Sequence, residues 1–113
     1  MNNKIIGNAG EDLAARYLEK RGYQILERNK HYSRFCEIDI IAKYKNTIVF
    51  VEVKTRKTNA FGEPAEAITK NKYENLRKGV QFYLAENKAK DFRIDLISIT
   101  LKPELKIEHL KNI

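Results

Sequence analysis

The 113 residues contain no tryptophan, one cysteine, one methionine, two histidines and two prolines, and each scarcity removes a class of answer. A lone Cys36 cannot found a disulfide framework, and with His31 and His109 far apart in sequence no Cys/His zinc site can be assembled. A reducing cytoplasm is the expected setting. No apolar run exceeds the length of a strand, so neither a signal peptide nor a membrane span is expected, and the protein should be soluble and intracellular. Repeats, low-complexity stretches and Pro/Gly/Ser linkers are also missing, which leaves a single domain over residues 1–113 with one modest core. Acidic residues are in the minority: 22 Lys and Arg against 15 Asp and Glu give a formal charge of +7 and a pI near 9.5. That balance favours a polyanionic partner, nucleic acid first, although basicity serving solubility alone is an equal alternative at this point.

What is present reads as a simple series of elements. Leu13, Ala14, Tyr17 and Leu18 recur at helical spacing within Lys4 to Arg21, and Gly22 follows as a C-terminal cap. Tyr23 to Arg28 predicts a short strand, Asn29 to Arg34 a polar loop, and Cys36 to Lys43 and Thr47 to Arg56 two central strands. Lys57 to Thr69 predicts a loop with one helical turn at Pro64-Ala65-Glu66-Ala67. Thr69 then caps a second helix, Lys70 to Glu86, with Tyr73, Leu76, Val80, Tyr83 and Leu84 on one stripe. Arg93 to Leu101 predicts a strand, Lys102-Pro103-Glu104 a turn and Leu105 to Leu110 an edge strand. The expected fold is α/β, a mixed sheet flanked by helices in the order αβββαββ.

The most informative spacing lies on the two central strands. Thirteen positions separate Asp39 from Glu52, and Lys54 follows two residues later. Side-chain alternation puts Glu37 with Asp39 on one face, and Glu52 with Lys54 on one face, so a hairpin through Lys45-Asn46 would let these charges converge. Two carboxylates brought within a few ångströms repel unless a proton or cation lies between them. Mg²⁺, with Mn²⁺ as a substitute, takes oxygen ligands and keeps several waters, so Asp39, Glu52, the Val53 carbonyl and substrate phosphate oxygens would form a sufficient set. Lys54 could then orient or deprotonate an attacking water and offset charge on phosphorus. Glu11 borders the apolar stripe of the first helix and could supply a further carboxylate; as an alternative it is an ordinary helix acid complementing the dipole. Glu52 and Lys54 could likewise form a solvated strand edge.

Gly10-Glu11, Glu37-Ile38-Asp39-Ile40-Ile41-Ala42, Val51-Glu52-Val53-Lys54-Thr55-Arg56, Lys72 and Phe92-Arg93-Ile94-Asp95 together resemble the YraN-like family of small bacterial proteins over nearly the whole chain. That family looks like a branch of the restriction-endonuclease-like superfamily, whose signature is an acid, a spacer and (Asp/Glu)-x-Lys, and is similar in layout to archaeal Holliday-junction resolvases. The resemblance implies that Asp39, Glu52 and Lys54 take the three signature places and Glu11 the helix acid. It implies a restriction-endonuclease-like core and a nuclease working on DNA in repair or recombination. Two positions depart from the pattern: Ile38 stands where a proline often precedes the first acid, and Cys36 where the family more often has glycine.

Arg56 and Lys57 continue the site strand, and Lys70 and Lys72 open the second helix, where backbone N–H groups also favour an anion; together they form a candidate phosphate track. Lys72 shares a stripe with Leu76 and could face the sheet, whereas Lys70 is equally a solvated helix residue. Arg93 and Asp95 share a strand face and could serve only to pair with neighbours. Tyr32, Phe35 and Phe61 could stack on an unpaired base or patch the core. The leading expectation is a Mg²⁺-dependent endonuclease hydrolysing a phosphodiester, with DNA as partner, RNA left open, and, by analogy, a homodimer if the DNA is branched. A non-catalytic nucleic-acid-binding protein on the same fold is the alternative, and a protein-interaction module with a vestigial acidic cluster is the third.

Overall fold

A computed structural model describes residues 3–34, 36–58, 60 and 62–113. Its elements run α1 (Asn3–Lys20), β1 (Gln24–Ser33), β2 (Cys36–Tyr44), β3 (Thr47–Arg56), a 3₁₀ turn (Pro64–Ala67), α2 (Lys70–Glu86), β4 (Asp91–Thr100) and β5 (Lys106–Leu110). The αβββαββ order and the mixed α/β class are as expected. The five strands form one sheet in sequence order, with β3 and β4 parallel and every other pair antiparallel. Only the parallel pair needs a long crossover, and α2 provides it.

Alternation along β3 explains the layering. Val49, Val51 and Val53 point to one face, where they meet Ala14, Ala15 and Leu18 of α1 together with Ile97 and Ile99 of β4. Ile48 and Phe50 point to the other, against Leu76, Val80 and Tyr83 of α2 and Ile94 of β4. A strand covered on both faces reads as a nearly continuous apolar run, as this one does up to Val51. The same alternation carries Glu52 and Lys54 to the α2 side.

Local signals account for the element ends. Gly22 adopts φ +89 while the Tyr23 N–H returns to the Leu18 carbonyl at 3.1 Å, closing α1 with the left-handed residue that glycine supplies most readily. The Thr69 side chain accepts a hydrogen bond from the Lys72 N–H at 3.1 Å and caps α2. Lys45 takes the positive φ (54) of the β2–β3 hairpin.

One expectation is corrected. Asn29 to Arg34 is not a polar loop, because β1 continues to Ser33, paired with β2 from Gln24↔Lys43 through Ser33↔Cys36. The segment is an edge strand whose residues mostly face solvent, so its polarity hides the pairing, and register shifts at Ile25/Glu27 and His31/Ser33 break the alternation further. Tyr32 accordingly sits in a strand and stacks on Phe82 of α2, ring centroids 5.4 Å apart. Phe35 and Phe61 lie outside the described residues. No helix among the described residues is long and apolar enough to cross a membrane.

Candidate active site

The β2–β3 ladder runs from Tyr44↔Thr47 to Ile40↔Val51 and goes no further. One step beyond it, Asp39 substitutes a side-chain oxygen for the missing backbone partner: Oδ2 accepts the Val53 N–H at 2.8 Å. The N–H and C=O of a strand residue point to the same edge, so the Val53 carbonyl also faces the opening between the two strands. This fork holds the candidate site.

Glu52 sits in the fork at 4 % exposure. A carboxylate so buried requires counter-charge, and two lysines supply it: Lys72 Nζ stands 2.8 Å and Lys54 Nζ 3.9 Å from Glu52 Oε1. Lys72 comes from the first turn of α2, placed there by the Thr69 cap. Asp39 and Glu52 wall a cavity of about 260 Å³ together with Glu37, Arg34, Asn71, Lys72 and Asn75.

The electrostatics mark these groups as interdependent. Burial, reinforced by the charge of Glu52, pushes Asp39 up to about 8, against the opposing Val53 hydrogen bond. Burial also lowers Lys54, and the adjoining Lys72 amine lowers it further because two ammonium ions compete for one carboxylate. For Lys72 burial again opposes the charge, but contact with Glu52 outweighs it and the amine is held above its ordinary value. Glu11 is raised, first by burial and then by the charges of Glu37 and Glu52, with Arg28 opposing. Arg28 Nη2 is 4.0 Å from Glu11 Oε1 and only 2.8 Å from Asp12, and Glu11 Oε1 is a buried oxygen lacking a hydrogen bond.

Asp39, Glu52 and Lys54 therefore meet at one fork, and Glu11 is near enough for its charge to be felt there. Among the described residues no group of three His, Cys, Asp or Glu side chains stands close enough to hold a metal ion, so Glu11 does not close a three-carboxylate set. Two carboxylates and a strand carbonyl remain, all hard oxygen donors, and this fits the kind of incomplete protein shell that Mg²⁺ accepts. The phosphate track disperses: Lys72 turns inward onto Glu52, Arg56 donates to the Gly62 carbonyl at 2.6 Å, and Lys57 and Lys70 are exposed. Asn71, Asn75 and Arg34 escaped the sequence reading. Asn75 lies one turn beyond Lys72, and that helical spacing is the signal that could have found it.

The chain is thus a mixed α/β protein with a buried acid–lysine cluster at a strand fork. It belongs to the uncharacterised protein family UPF0102, whose model matches residues 10–99, the YraN-like group that its motifs resemble. Relatives include UPF0102 proteins of Caldanaerobacter subterraneus subsp. tengcongensis, 45 % identical over 99 % of this chain and 96 % of the relative, and of Alkaliphilus oremlandii, 45 % identical over 97 % of each. A UPF0102 protein of Geobacter metallireducens is 44 % identical over 99 % of this chain and 93 % of its own length.

Proposed function

We propose that the protein is a divalent-metal-dependent endonuclease of the restriction-endonuclease-like superfamily, related in layout to Holliday-junction resolvases and acting on branched or otherwise structured DNA in repair or recombination. The observation that carries this reading is the convergence of Asp39, Glu52, Lys54 and Lys72 at the β2–β3 fork. A protein that only binds nucleic acid needs cations and gains nothing from buried acids that repel phosphate.

Asp39, Glu52 and the Val53 carbonyl would hold Mg²⁺ or Mn²⁺, with Glu11 adding negative charge from α1. The cation supplies positive charge for the carboxylates and the phosphodiester, and acidifies water. Lys54, whose amine is held below its ordinary value by burial and by Lys72, takes or relays the proton of an attacking water. Lys72 holds Glu52 in place and meets charge developing on phosphate. Lys57 and Lys70 offer exposed charge for the flanking backbone, whereas Arg56 acts through the Gly62 loop. If the substrate is branched, paired cuts need two sites, so the acting form is a homodimer.

A non-catalytic nucleic-acid-binding protein is the second reading, and one observation favours it: the Lys72 ammonium already neutralises Glu52 at 2.8 Å. Cleavage of labelled duplex, single-stranded, flap and four-way-junction DNA with Mg²⁺ or Mn²⁺ decides between the two. The nuclease reading expects metal-dependent cutting that Glu52→Ala and Lys54→Ala each lower by about 10²-fold or more. Binding without cutting on every substrate, unchanged by either substitution, would move the assignment to the second reading.

A further inference from the structure

On the sheet face opposite Glu52, Asp95 of β4 is fully buried and accepts hydrogen bonds from Arg93 Nε at 3.0 Å and the Asn112 N–H at 2.9 Å, while His109 Nε2 lies 2.7 Å away. A carboxylate kept below its ordinary range by these contacts, against the cost of burial, accepts the imidazole N–H, so Nδ1 faces the Tyr17 hydroxyl at 3.3 Å. Arg93 also donates to the Tyr23 hydroxyl at 2.6 Å. One buried acid thereby fixes two tyrosine rings through two intermediaries.

Those rings wall a cavity of about 310 Å³ with Tyr44, His109, Arg21 and Lys111. Tyr23 and Tyr44 lie 4.6 Å apart between centroids, tilted by 31°. Among the described residues no carboxylate lines the cavity. A second cavity of about 460 Å³ shares Tyr17 and Arg21 with the first and adds Arg16 and Lys20, again without an acid. Arg21 lies over the Tyr17 ring at 3.8 Å and Tyr23 is buried against Tyr44, so the half-buried Tyr44 is the ring left for a ligand to meet. An aromatic face held from behind and set beside a run of exposed cations suits a base and its flanking phosphates better than a bare anion, which has no use for the ring, or an apolar ligand, which has none for the cations.

We propose that this face is a second nucleic-acid contact, taking an unpaired nucleotide of a single strand with its base against Tyr44 and its neighbouring phosphates on Arg21, Lys111, Arg16 and Lys20. The contact stands apart from catalysis, because it lies across the sheet from the acidic fork. In a protein that handles branched DNA it would receive an unpaired strand.

The test is fluorescence anisotropy in EDTA, where cleavage plays no part, using a labelled oligothymidylate of about eight nucleotides and an abasic strand of the same length. The intact protein should bind the thymidylate about tenfold more tightly than the abasic strand. Arg21→Glu and Lys111→Glu, both at exposed positions, should each weaken thymidylate binding about tenfold, and Tyr44→Leu should erase the preference for bases. Equal affinity for the abasic strand would overturn the proposal, as would an equal loss in Lys88→Glu, an exposed cation outside both cavities. Polyglutamate competing as effectively as oligothymidylate would also overturn it and reassign the face to an acidic polypeptide.

Discussion

Replacing Asp39 with asparagine should flatten the dependence of stability on pH. Burial and the Glu52 charge push the Asp39 carboxyl up to about 8 in the folded chain, whereas an aspartate in an unfolded chain titrates near ~3.9. The folded state therefore holds a proton that the unfolded state releases, so this contribution to stability is full below about pH 4 and is lost as the pH rises through about 8. One proton gives a slope of at most ~1.4 kcal/mol per pH unit, and the whole interval corresponds to about 6 kcal/mol, comparable with the total stability of many small domains. Asparagine retains an oxygen for the Val53 N–H but cannot ionise, so the variant isolates the charge from the hydrogen bond. Urea denaturation followed by circular dichroism at pH 5, 6, 7 and 8 in EDTA would measure the slope, and Glu52→Gln should reduce it by removing the neighbouring charge. A slope in Asp39→Asn equal to that of the intact protein would refute the reasoning. Adding Mg²⁺ tests the metal assignment in the same assay, since a bound cation should restore stability to the intact protein near pH 8 and do nothing for the asparagine variant.

Gly10→Ala should destabilise by about 1–3 kcal/mol, because a Cβ there would collide with the Thr55 side chain of β3; Thr55→Ala should recover much of that loss, and additive effects in a double-mutant cycle would contradict the contact. Asp95→Ala should cost about 3–5 kcal/mol by stranding Arg93 and His109, as measured by urea midpoint. Since the Asp95 carboxyl is held below its ordinary range, the stability it contributes is present above that range and lost as the pH falls, so the gap between the two proteins should narrow in acid.

Much of this architecture was legible because burial leaves a periodic trace. β3 and α2 fall where the apolar pattern and the Thr69 cap place them, and the spacing of Asp39, Glu52 and Lys54 already pointed to one hairpin. The far half of β1 left no such trace, because its half-buried positions, Lys30 and Tyr32, alternate with exposed ones but are not filled by an apolar series. Periodicity also names the face a residue occupies and not the partner it finds there. Lys72 could be assigned to the sheet side of α2, but only the crossover between β3 and β4 brings its amine onto Glu52 rather than a phosphate.

Arg93 and Asp95 show the same division. Their shared strand face follows from alternation, whereas the gathering of His109, the Asn112 N–H, Tyr17 and Tyr23 around that pair depends on β5 and α1 packing beside β4. The early end of the β2–β3 ladder, which turns Asp39 into a substitute backbone acceptor, had no counterpart in the residue pattern. Composition, alternation and capping are local quantities and therefore determined the class of fold, the element order and the candidate acids. Hydrogen-bond partners, burial of charge and the resulting shifts in proton affinity are set by groups distant along the chain, and only the tertiary structure decided them.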